Sequence, residues 1–194
     1  MGRKAKFSKT DFINTALDLL AEHGLSGVNM ASIAQKTSAP VGSVYHRFSS
    51  RELLLAELWV ELIQSFQSEF IEKLKKGDLK KASLHTLEWV RANPNKAKVF
   101  LLHRREDLIK GDWPEALKER VEGLISRLNE ALCEFTRKEL GKATKKNLAR
   151  ITFCLIHVPT SAVRGILESG EPVPGYYDQF VSETVEALII SHRS

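Results

Sequence analysis

Residues 29–51 read NMASIAQKTSAPVGSVYHRFSSR. The spacing predicts two short helices joined by a tight turn, followed by the start of a third helix. Asn29 is placed to cap the first helix, which runs to about Thr37 and carries a small apolar face at Ile33 and Ala34. Ser38-Ala39-Pro40 breaks it. Pro40 disfavours helical geometry at Ala39 and offers a preset start to the next segment. In Val41–Phe48, the residues Val44, Tyr45 and Phe48 fall on or near one face. Gly42, Ser43, His46 and Arg47 are left for another surface. A short helix that begins with small residues and ends in Tyr-His-Arg is poor core material. It suits a DNA major groove, where small residues permit close approach and the polar ones reach bases and phosphates.

Outward from this stretch the chain is helical throughout. Toward the N-terminus, Ser8 and Asp11 form a variant capping box. Ile13, Ala16, Leu17, Leu20 and Ala21 then recur at helical spacing until His23-Gly24, and residues 25–28 connect to Asn29. Toward the C-terminus, a helix of more than 20 residues starts at Arg51 and continues to about Lys76. It is long enough to leave a small N-terminal bundle and enter a second one. Further helices are expected over Leu79–Ala92, Lys96–Ile109 and Glu115–Leu140. The next covers Thr144–Glu168, kinked at Pro159, and the last Tyr176–Ser191. Residues 110–114 and 169–175 read as loops. No alternating strand pattern or internal repeat is present, so the expected fold class is all-α. Residues 1–50 would form a helix-turn-helix domain with its motif at 29–48, and residues 51–194 a second helical domain.

The 194 residues carry 29 Lys and Arg against 24 Asp and Glu, a formal charge of +5. That balance permits a nucleic-acid partner without demanding one. Arg3, Lys4, Lys6 and Lys9 make the first ten residues basic with no acid among them. Such an arm can reach phosphates or the minor groove, or simply lie solvated. The two cysteines, Cys133 and Cys154, sit in apolar helical contexts without metal-ligand spacing, as expected of free thiols in a reducing compartment. Neither a signal peptide nor an apolar run of about 18 residues is visible, so a cytoplasmic, nucleoid-associated protein without a membrane partner is expected. There is no Gly-rich phosphate loop, no metal constellation and no convincing nucleophile–base–acid set. The sequence thus offers no catalytic residues and calls for no cofactor.

An ordered set of positions carries a resemblance. It comprises Ile13, Ala16-Leu17, Leu19-Leu20-Ala21, Gly24, Ile33-Ala34, Gly42-Ser43-Val44-Tyr45, Phe48 and Ser50-Arg51-Glu52-Leu53-Leu54. Over roughly residues 8–60 the chain resembles the TetR/AcrR transcriptional regulators; beyond that only the architecture does. The resemblance implies a homodimeric DNA-binding regulator, most often a repressor, released from a double-stranded operator by a small effector. This chain departs from the usual pattern at Asn29, commonly Thr, and at Ser38-Ala39-Pro40, commonly Gly-Val-Ser. Met30-Ala31-Ser32 lacks the early basic residue that some members use to read a base.

Tyr45 resembles the family's phosphate-contacting tyrosine; otherwise it is a partly buried ring between the motif helices. Arg51 stands where a lysine is usual and is suited to a phosphate, together with its helix N-terminus. Val41 can meet a thymine methyl, and Gly42 and Ser43 sit where the backbone comes closest to DNA. His46 and Arg47 follow on the same helix, with Asn29 and Ser32 as further phosphate candidates. In the second domain, Trp59, Phe66, Trp89, Phe100, His103, Trp113 and His157 could line a pocket for a small hydrophobic or aromatic effector. Plain core packing explains an aromatic stripe equally well, and a core histidine explains His157. By family analogy the last two helices form a dimer interface, with Phe180, Val181, Thr184, Val185 and Leu188 as its stripe. The rival readings are a regulator governed by a protein partner without a small ligand, and an all-helical enzyme with incidental motif similarity.

Overall fold

The computed structural model of the protein describes residues 7–104, 106 and 113–190. Every regular element among them is helical. The basic arm at Arg3, Lys4 and Lys6 lies outside these residues, as do Arg105, residues 107–112 and Ser191.

Helix α1 spans Lys9–His23. Ser8 Oγ accepts from the Asp11 backbone N–H while Asp11 Oδ2 accepts from the Ser8 N–H, so the capping box closes both ways. That backbone hydrogen bond from Ser8 also holds the Asp11 carboxyl below its usual range. A single 3-10 turn, Leu25–Gly27, leads to α2, Met30–Thr37. Helix α3, Val41–Arg47, follows the turn at Ser38, and α4, Arg51–Lys76, is capped by Ser50. At about 1.5 Å per residue its 26 residues span about 39 Å. Gly77 in the left-handed region ends it.

Helix α4 contributes to three apolar clusters, the smallest formed by Ala56 and Val60 with Leu117 and Leu124. Its first half, through Leu54, Leu55, Leu58, Trp59 and Leu62, completes the core that α1–α3 build around Phe12, Leu20, Ile33, Val44 and Phe48. Its second half places Phe66, Phe70 and Leu74 in a second core, with Leu87, Phe135, Cys154 and Val181. Phe100 touches both.

The second core is closed by α5, Leu79–Ala92, and α6, Pro94–Leu102, with α7, Glu115–Leu140, along α4. Helix α6 starts two residues before the sequence suggests, because Pro94 occupies the first turn, where a missing N–H is harmless. The single kinked helix expected over Thr144–Glu168 is instead α8, Lys145–Thr152, a π turn at Phe153–His157, and α9, Val158–Ser169. Pro159 has no N–H to return to the preceding turn. The helix widens just before it, and Val158 N–H donates to Phe153 O five residues back. Helix α10, Tyr177–Ile190, is fastened from two sides. Arg91 donates to Val173 O, Pro174 O and the Asp178 carboxylate, and Arg150 donates to Leu188 O.

Candidate nucleic-acid interface

Helices α2 and α3 pack through Met30, Ile33, Ala34, Val44 and Phe48, all buried. The turn between them has the Schellman pattern: Ala39 N–H donates to Ala34 O at 2.9 Å and Ser38 N–H to Gln35 O at 3.1 Å. Ser38 pays for that with φ +55°, the only left-handed non-glycine among the described residues. Pro40 then stands at the N-cap of α3, with φ −59° and ψ 137°, just before its first residue Val41.

With Val44 and Phe48 turned inward, the other side of α3 is bare. Tyr45 is 53% exposed and Val41 47% exposed. Tyr45 therefore does not share the inward face with Val44 and Phe48 that the sequence suggested. One residue on a helix is a 100° rotation, enough to carry the ring into solvent. Gly42, His46 and Arg47 are exposed too, Ser43 is half-exposed, and a Cβ on Gly42 would meet nothing within 4 Å. The outer face thus offers a valine methyl pair, two small residues and Tyr-His-Arg together. Arg47 reaches Phe7 O only at 3.5 Å.

Other candidates have structural employment. Asn29 Oδ1 accepts from Ser32 N–H at 2.8 Å, and Ser32 Oγ accepts from Asn29 N–H at 3.0 Å, a second reciprocal capping box. Ser32 Oγ also donates to Gly27 O. Arg51 points inward: its Nε donates to Val28 O at 2.5 Å and its Nη2 to Leu25 O at 2.7 Å. Lys9, the last cation of the basic arm, pairs with Glu57 on α4 and lies 5.3 Å from the centre of the Phe48 ring.

Residues 12–58 match the sequence profile of "Bacterial regulatory proteins, tetR family". The fold is similar to that of a tetR family transcription regulator from Shewanella sp. PV-4, with a TM-score of 0.65 and 21% identity, covering 96% of this chain and 98% of that one. It is also similar to a TetR transcription regulator from Haloarcula marismortui, with a TM-score of 0.68 and 16% identity over 94% and 96% of the two chains. A third similar structure is the transcriptional regulator FadR from Bacillus subtilis in complex with stearoyl-CoA, with a TM-score of 0.66 and 16% identity over 94% and 98%. No curated protein sequence matches the chain. Residues 12–58 thus resemble the DNA-binding head of the TetR family, and the fold of the chain is similar to that of TetR-family regulators.

In this TetR-like frame α4 joins the head to the rest. Glu57 on α4 holds Lys9 of α1 at 2.5 Å and Arg120 of α7 at 2.9 Å, and Asn95 of α6 donates to Asp18 of α1 at 3.0 Å. Glu61, one turn along α4, has its pKa raised by burial and by neighbouring Glu57.

The effector candidates do not all come together. Trp59, Phe66, Trp89 and Phe100 form one cluster of tilted and edge-on rings, with Trp59–Phe100 centroids at 5.2 Å, Phe66–Trp89 at 5.3 Å and Phe66–Phe100 at 5.6 Å. His103 is half-buried at the end of α6. Trp113 flanks a different hollow, with Ser49, Ser50, Glu52, Leu53, Ala56 and Pro114. His157 is exposed on the π turn, 6.3 Å from Phe153, so the core role expected of it does not hold. The wider turn swings it outside. The buried histidine is His85 on α5, which the sequence did not single out. It lies against Phe66 and Phe70, with Nε2 2.7 Å from Phe66 O and Nδ1 3.3 Å from Lys73 Nζ. Burial pushes its pKa down to about 4. Its spacing with Ala82 and Trp89 on the apolar face of α5 was the available signal.

The expected dimer stripe divides. Val181 and Val185 are buried in the chain's own core and Leu188 is half-buried, whereas Phe180 and Thr184 face outward. Tyr176 continues the outward row at 58% exposure, its ring tilted against Phe180 with centroids 5.5 Å apart, and Phe153 on the neighbouring π turn is 51% exposed. Periodicity alone could not separate the two sides of α10, because apolar residues occupy both. Both cysteines are free thiols; Cys154 is buried, which pushes its pKa up, and Cys133 is half-exposed.

Proposed function

We propose that the protein is a homodimeric, sequence-specific DNA-binding regulator, a repressor whose two heads occupy the halves of a near-palindromic operator. The observation that carries this reading is the outer face of α3: exposed Val41, Gly42, Tyr45, His46 and Arg47 on a helix held by the buried Val44 and Phe48. Residues 1–50 act as the reading head and residues 51–194 as the regulatory and dimerising part. Val41, Ser43 and His46 read base edges, and Tyr45 and Arg47 hold phosphates. The exposed aromatics Phe153, Tyr176 and Phe180 support pairing through α8–α10 of two copies.

A small hydrophobic or aromatic effector acts on the C-terminal part, a reading supported by the similar FadR fold carrying stearoyl-CoA. Entry among Trp59, Phe66, Trp89 and Phe100 requires those rings to part. Because Phe100 belongs to both cores and Asn95 of the same helix holds Asp18, parting them shifts α6 against α1 and changes the spacing of the heads. Such a protein works in the cytoplasm. No helix among the described residues is long and apolar enough to cross a membrane.

The test is selection of duplex fragments by the purified chain. An inverted repeat with half-sites about one helical turn apart is expected, with retention that falls steeply with salt. Recovery of random fragments would overturn the reading.

A further inference from the structure

We infer that Arg51 is a positioning residue, which sets the angle at which α4 leaves the DNA-reading helices without itself holding a phosphate. The inference rests on the DNA-binding reading above. Its evidence is the destination of the guanidinium. Arg51 is the first residue of α4, and Ser50 caps that helix through Leu53 N–H at 3.1 Å. The cap fixes where the arginine stem begins. From there the side chain turns back across the head, with Nε to Val28 O at 2.5 Å and Nη2 to Leu25 O at 2.7 Å.

These carbonyls belong to the connector between α1 and α2. Two of its other acceptors are already served: Gly24 O by Gly27 N–H at 3.2 Å, and Gly27 O by the Ser32 hydroxyl at 2.9 Å. Val28 N–H approaches Leu25 O only at 3.4 Å, so Arg51 is its closer donor. Val28 itself is buried, and the next residue is the Asn29 cap of α2. The fork therefore grips the backbone one residue before the helix-turn-helix begins. Helix α4 packs on α1 along its first half. Arg51 adds a separate attachment, to the segment leading into α2. With both in place, the head turns as one body with α4, and a tilt of α4 is passed on to α3.

The geometry requires a planar fork with two donors at fixed separation. An ammonium on a flexible stem keeps the charge and loses that geometry. Phosphate attraction makes the opposite demand, since there a lysine serves as a point charge.

The experiment compares the full-length chain with Arg51→Lys and Arg51→Ala on the selected operator, across a range of salt concentrations. It also uses an operator with one base pair inserted between the half-sites. Both variants are expected to bind the correct operator at least tenfold more weakly, with lysine giving no rescue. The slope of log affinity against log salt should stay at the wild-type value, and discrimination against the lengthened operator should shrink. Restoration by Arg51→Lys, or a slope reduced by about one per head in Arg51→Ala, would overturn the positioning role. Failure of the wild-type chain to select any duplex would overturn the functional reading instead. Amide exchange then still decides the clamp: Arg51→Lys should speed exchange at residues 25–30, and unchanged exchange there would refute it.

Discussion

The head and the C-terminal part of this molecule both leave large side chains in solvent, but of different kinds. On α3 the exposed row is mixed: Val41, Tyr45, His46 and Arg47 beside Gly42 and Ser43. On the π turn and α10 it is aromatic: Phe153, Tyr176 and Phe180. A mixed row with small residues suits a polyanion whose surface alternates charge, edge and methyl. An aromatic row suits another protein surface. The interiors differ as well. The buried polar side chains among the described residues, Gln67, Ser83, His85, Thr86 and Thr136, all lie in the C-terminal part. On the proposed reading, one chain carries two outward faces for different partners, linked by α4.

The largest effect expected is at the aromatic face. On the proposed pairing the wild type should sediment as a dimer at micromolar concentration and Phe180→Arg as a monomer, without unfolding of the chain, since Phe180 is not part of its core. A wild-type chain that sediments as a monomer would break the comparison at that end.

The next effect belongs to the buried histidine. His85 has a folded pKa of about 4 against an ordinary 6.5, so the folded state holds the neutral ring. Its contribution is complete above pH 6.5, where both states are neutral. It is lost as pH falls from 6.5 toward 4, because the unfolded chain takes up the proton first. The loss amounts to about 3 kcal/mol. Denaturant unfolding of the wild type and of His85→Gln across that window should diverge in slope with pH; parallel curves would remove His85 from the account.

At the mixed face, Tyr45→Ala should weaken binding to every duplex by about tenfold, or about 1.4 kcal/mol, with stability unchanged because the ring is exposed. A shift in preference between sequences with no general loss would assign Tyr45 to a base. Smaller still, and of opposite sign, Ser38→Gly should stabilise the head by about 1 kcal/mol, since glycine adopts φ +55° without Cβ strain. Thermal unfolding measures it, and a fall in Tm would mean that Ser38 has a role its backbone does not reveal.

Legibility in the sequence followed the same division. The boundaries of α4, α5 and α7 are visible in caps and terminators such as Ser50, Gly77, Asp78 and Gly141, because capping is a local interaction between neighbours in the chain. The sequence marks the π turn before Pro159 only as a kink, since which carbonyl is bypassed depends on what the widened turn packs against. Tyr45 and Arg51 illustrate the limits at the site. Residue type marked both for a phosphate, and the tertiary structure turns one outward and the other onto Leu25 and Val28. Val181 and Val185 were indistinguishable from Phe180 by spacing, because only the packed bundle defines the inner side of α10.

The most direct test of the two-face account is amide hydrogen exchange of the full-length chain with and without its selected operator. Added protection is expected to concentrate at residues 41–47, with none at residues 176–187. Protection on α10 with none on α3 would contradict it.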